Sequence, residues 1–191
     1  MFAQVEVRLI SRQHQEFVTD QAAVYLQRLQ QFELEPRMIN LLMSERRRAY
    51  PWIGANIDRV NQALYEHLVT CQECFFPANR CAVSILAAPI GPEWGIDGFC
   101  NVRVDPSMIL VDVGRIVPTD WLKLVAHEYA HAMIGSAGHA SEYAAILKHL
   151  CLGLGFTWDE QWRSENNRLQ TYPPCISTLD PIAFWRGDSD F

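Results

Sequence analysis

His127–Glu128–Tyr129–Ala130–His131 sets two imidazoles four residues apart, with a carboxyl beside the first. On a helix four residues make about one turn, so both rings leave the same face. The flanking residues predict that helix. Pro118–Thr119–Asp120 supplies a start, with Thr119 or Asp120 as cap. Trp121, Leu122, Leu124, Val125, Tyr129, Met133 and Ile134 keep helical spacing, and Gly135 can end the run. A chain with this pattern must bury most of one helix and still leave two imidazoles able to reach a common point.

Two histidines one turn apart can both turn a nitrogen toward one tetrahedral zinc ion, and a third protein ligand completes the usual set. Zinc lowers the pKa of a bound water, and Glu128, beside the first ligand, then stands as general base. His139, Glu142 and His149 are the candidates for the third ligand. His139 is favoured: a reversal through Ser136–Ala137–Gly138 after Gly135 brings the start of the next helix back beside the metal. Glu142, one turn beyond, could instead accept a hydrogen bond that orients an imidazole. For an oxyanion donor Tyr129, Tyr143 and Tyr172 are candidates, none of them preferred. Tyr129 points off the ligand face, so packing suits it better.

The remaining chain reads as α+β, mostly helical, with a small mixed sheet ahead of the motif helix. Phe2–Ile10 fits a short strand or the start of a helix, and Phe17–Phe32 has helical spacing. A second helix is expected from Glu35 or Pro36 to Ala49, its Arg46–Arg47–Arg48 tail suited to a helix C-terminus. Tyr50–Pro51–Trp52–Ile53–Gly54 is expected to break it. A third helix runs from Ile57 to Leu68 or on to Cys74. Cys81–Ala88, Phe99–Asp105 and Met108–Val113 predict three strands, the last two joined by a turn at Asp105–Pro106–Ser107. Ala140–Leu152 predicts a ligand-bearing helix, Trp158–Arg168 one more, and the last twenty residues a coil that wraps the domain or hangs loosely. With no repeat or flexible linker, residues 1–191 are expected to form one domain: core 57–156, N-terminal helices 17–49, C-terminal coil and helix 157–191.

Composition narrows the function classes. Of 191 residues, 49% are apolar, enough for a real core. A formal charge of -6 argues against a scaffold built for nucleic acid, which would need a contiguous basic face including Arg46–Arg48, Arg59 and Arg80. No apolar run approaches the ~20 residues of a spanning helix, so no membrane partner is expected. The N-terminus has no basic-then-apolar leader, and the six cysteines are expected as reduced thiols in a cytoplasmic protein. Cys71-x-x-Cys74 with Cys81 and Cys100 raises a second metal site, but without a second CxxC pair plain core cysteines are the better reading.

His127–Glu128–Tyr129–Ala130–His131 followed by Gly138–His139–Ala140–Ser141–Glu142–Tyr143 resembles the SprT-like metallopeptidases and related short bacterial zinc metalloproteases of the zincin clan. The matching motif covers about 20 residues, and the strand, strand, motif helix, ligand helix order agrees from Phe99 to Phe156. The resemblance implies a zincin-like fold and a zinc-dependent metallopeptidase acting on peptide or protein substrates through zinc-activated water. His127, His131 and His139 would be its metal ligands and Glu128 its base. It also implies that a strand of the Phe99–Val113 region, with a free edge, holds an extended substrate. The eight-residue step from His131 to His139 fits neither subgroup. The four-cysteine ribbon common after SprT-like domains is absent, since only Cys175 follows Cys151. Two other readings keep the same residues: a zinc hydrolase of a non-peptide amide or ester, and a non-catalytic metal-containing binding module.

Overall fold

The computed structural model describes residues 2–41, 43–159 and 169–189. Its elements are α1 (Phe2–Leu29), α2 (Met43–Glu73), β1 (Val83–Ala87), β2 (Gly98–Asn101), β3 (Ser107–Val111), α3 (Trp121–Ile134), α4 (Ser141–Gly153) and α5 (Pro181–Arg186). The result is a mostly helical α+β arrangement whose three-stranded sheet precedes the helix carrying the His/Glu motif.

α1 begins at Phe2, so the first residues are helical, not a strand. A larger departure comes next. Residues 35–41 form no helix, because their polar groups are claimed from outside. The Glu33 carboxylate accepts from the backbone N–H groups of Arg37 and Ile39. Asn40 N–H donates to Pro89, Gly91 N–H donates to Met38, and Ile39 bridges to Ile90. The segment is thereby tied beside the sheet.

α2 then runs unbroken from Met43 to Glu73 with Pro51 inside it. A proline in a helix interior removes one hydrogen bond and costs about 3 kcal/mol. Against that, α2 buries Ala49, Ile53, Ile57, Val60, Leu64, Leu68 and Cys71 on one stripe. At about 1.5–3 kcal/mol for each large aliphatic side chain, two of these offset the proline. Gly54 is likewise no breaker: a β-carbon there would collide with the Val18 carbonyl, so its bareness lets α1 and α2 touch. Arg46–Arg48 therefore lie in the first turns of α2, not at a helix C-terminus. Arg48 pairs with Asp188 at 2.6 Å, and Glu45 pairs with Arg186 at 3.5 Å, tying this end to the C-terminal segment.

The sheet has the order β1-β3-β2. β1 runs parallel to β3, with Ile85 opposite Ile109; β2 runs antiparallel to it, with Gly98 opposite Val111. Central β3 packs against α3, while α2 packs against its neighbour β1; Ile109, Leu110 and Val111 are fully buried. Just past β3, Asp112 is a buried hub. Its carboxylate accepts from Ile90 N–H, Gly114 N–H, Arg115 Nε and the Trp185 indole. Burial pushes this carboxyl up to about 6, against the lowering effect of those donors. The hub fastens α5, which packs against α2, to the end of β3, so this C-terminal helix is held, not loose. The helix expected at Trp158–Arg168 falls largely outside the described residues.

Candidate metal centre

α3 spans Trp121–Ile134, as its periodicity predicts, but its start is built differently. Asp120 occupies the cap position without capping: its carboxylate accepts from Ile176 N–H and pairs with Lys123, both at 2.8 Å. The other end is a Schellman motif. Gly135 adopts φ 63°, its N–H donates to Ala132, and Ser136 N–H donates to His131. A side chain would strain that left-handed residue, which is why glycine suits it. Gly138 has no such need; it keeps ordinary φ with only Ser136 Oγ nearby.

The reversal delivers His139 to the motif. His127, His131 and His139 each offer a ring nitrogen, and these atoms lie within 4.8 Å of one another. The Nε2 atoms of His127 and His139 are 3.5 Å apart. His127 and His131 are buried and His139 half-buried. Among the described residues this is the only cluster of three or more His, Cys, Asp or Glu able to hold a metal. Glu142, exposed and bonded to Ser141, is outside it, and His149 turns away to the Cys74 carbonyl.

The rear nitrogens decide the tautomers. His127 Nδ1 lies 2.8 Å from the Tyr172 carbonyl and His131 Nδ1 lies 2.9 Å from the Ser136 carbonyl. A carbonyl can only accept, so each Nδ1 carries the proton and each Nε2 presents a lone pair. This is the state a divalent cation needs. Burial reinforces it, pushing His127 down to about 3 and His131 down to about 4, with His139 lowered as well. Neutral rings, two from α3 anchored from behind and one from the loop before α4, fit a divalent metal.

Glu128 leaves the same helix beneath β2. A β-carbon at Gly98 would sit 3.5 Å from Glu128 Oε1, so the strand passes directly over the carboxyl. Burial first, then the charge of Asp97, pushes this carboxyl up to about 8. β2 is an edge strand of the sheet, with Gly98 partly exposed and Phe99, Cys100 and Asn101 buried.

None of the three tyrosine hydroxyls aims at the front of the cluster. Tyr129 is fully buried beside Phe75. The Tyr172 hydroxyl donates to the Thr157 carbonyl, and that of Tyr143 sits behind His127. The part played by the Tyr172 carbonyl has no sequence signal, because every residue has a carbonyl. All six cysteines are free thiols. Burial raises Cys100 and Cys151 to about 12, and Cys71 further, leaving protonated core thiols. The open cavities of about 460 and 630 Å³ lie around Arg46 and Tyr50, and share no residue with the cluster. No helix among the described residues is long and apolar enough to cross a membrane. No family model, curated protein or solved structure matches the chain.

Proposed function

We propose that residues 1–191 act as one unit, a zinc-dependent metallopeptidase of the zincin type and, by its motifs, SprT-like. The observation carrying this is the convergence of His127, His131 and His139 with Glu128 on the same helix under an edge strand. Zinc held by the three rings would supply Lewis-acid polarisation of a carbonyl and acidify a water. Everything else falls to the chain. The Tyr172 and Ser136 carbonyls hold the rings of His127 and His131 in register. Glu128, a carboxyl of raised basicity in a dry surrounding, accepts the proton of the attacking water and passes it to the leaving amine. An extended peptide adds to the edge strand β2 at its partly exposed residue Gly98, which keeps the space between that peptide and Glu128 clear.

The test is metal analysis of the purified chain together with cleavage of a peptide library, for wild type and Glu128→Gln. One zinc per chain in both, with cleavage by wild type alone, is the expected result. Full cleavage by Glu128→Gln removes the general base; zinc without cleavage of any peptide leaves a metal-binding module.

A further inference from the structure

We infer that Tyr143 is the positioning residue of the metal centre, holding the His127 imidazole through its hydroxyl and packing its ring against the other two. The inference rests on the metal reading above and extends it to a residue outside the ligand set.

Tyr143 lies on α4, four residues after His139, and is fully buried. Its ring stacks on His131, with centroids 4.4 Å apart and planes at 29°. It stands edge-on to His139 at 4.7 Å and to His127 at 5.4 Å. One side chain thus touches all three imidazoles. Phenylalanine would fill the same space, so packing alone does not explain the hydroxyl. A buried hydroxyl needs partners, and among the described residues this one finds them at His127 alone: Nδ1 at 2.8 Å and the main-chain oxygen at 3.4 Å.

The direction of these bonds follows from their neighbours. Were the phenol to donate to Nδ1, the His127 proton would move to Nε2, blocking the metal face and setting a bare Nδ1 against the Tyr172 carbonyl. The carbonyl forbids this. The phenol therefore donates to the His127 main-chain oxygen and, with its lone pair, shares the Nδ1–H with Tyr172. Two acceptors on one N–H fix the ring's tilt as well as its tautomer. They also make the imidazole a stronger ligand, because they stabilise the positive charge that a cation induces on it.

Tyr143→Phe removes the hydroxyl and keeps the ring; Tyr143→Leu removes both. Zinc affinity, by competition with a chromogenic chelator on the full chain, is expected to fall by about 10–100-fold in Tyr143→Phe and further in Tyr143→Leu. The visible bands of the cobalt-substituted protein should shift in Tyr143→Phe, reporting an altered ligand field. A merely structural tyrosine would lower the unfolding temperature of the metal-free protein and leave both readouts unchanged, and that result overturns the assignment. Imidazole nitrogen NMR on the metal-free wild type needs no folded variant: His127 is expected as the Nδ1–H tautomer, and the Nε2–H form overturns the assignment. A wild type that binds no metal overturns the metal reading, and this assignment with it. Tight zinc in wild type and Tyr143→Phe alike overturns the assignment alone.

Discussion

Replacing Glu128 with Gln should stabilise the metal-free protein at neutral pH. The carboxyl is 5% exposed, makes no hydrogen bond or ion pair among the described residues, and is raised from 4.5 to about 8. Between these values the folded state holds a proton that the unfolded state has released. The stability owed to this group is therefore complete below pH 4.5, falls as pH rises, and is gone above 8. Each pH unit is worth about 1.36 kcal/mol, so at pH 7 the wild type has lost about 3 kcal/mol. Glutamine cannot ionise and escapes that loss. The variant should exceed wild type by about 3 kcal/mol at pH 7 and by under about 1 kcal/mol at pH 5. His127 and His131, whose neutral forms are favoured, weaken both proteins as pH falls from 6.5 toward about 3 and about 4 respectively. That contribution cancels in the difference. Urea unfolding in excess chelator, from pH 5 to pH 8, measures it, provided the m-values agree. A difference that does not vary with pH, or a variant weaker than wild type at pH 7, refutes the picture of Glu128 as a buried, unpaired carboxyl that holds its proton in the folded state. Proteins tolerate such a group where function needs it.

His139→Ala should lower zinc content as far as His131→Ala does; unchanged occupancy on metal analysis would remove His139 from the ligand set. Asp112→Ala strands Arg115, Trp185 and two backbone N–H groups, and should cost about 3–5 kcal/mol in urea unfolding. A loss below about 1 kcal/mol would mean the hub is not holding α5. Gly54→Leu drives a side chain into the Val18 carbonyl and should cost at least about 1–3 kcal/mol, read as a lower unfolding temperature; no change would mean that α1 and α2 do not meet there.

Where the sequence reading failed, distant partners had overridden local preference. Glu35–Ala49 carries helical spacing and Pro36 suits a first turn, yet residues 35–41 form a turn and a bridge held by Glu33 and the Pro89–Gly91 loop. Pro51 and Gly54 look like breakers only while α2's buried stripe and the close approach of α1 are out of view. Thr119 or Asp120 is the expected cap of α3; Asp120 holds the position but does not cap, because its carboxylate is taken by Ile176 N–H and Lys123.

By itself the sequence determined what depends on neighbours along the chain. It set the period that makes α3 a helix, the four-residue step that aligns His127 with His131, and the glycine that ends the helix and turns His139 back. It also carried the short apolar runs that became β1, β2 and β3. These are local because helical spacing, a left-handed cap and strand propensity act over a few residues. Only the tertiary structure decided which nitrogen of His127 faces the other two rings. That choice rests on the Tyr172 carbonyl, 45 residues from His127, and on a Tyr143 hydroxyl brought in by the packing of α4. It also decided that β2 lies over Glu128. A main-chain carbonyl has no sequence signature, and the burial that tunes these groups exists only once the layers have closed.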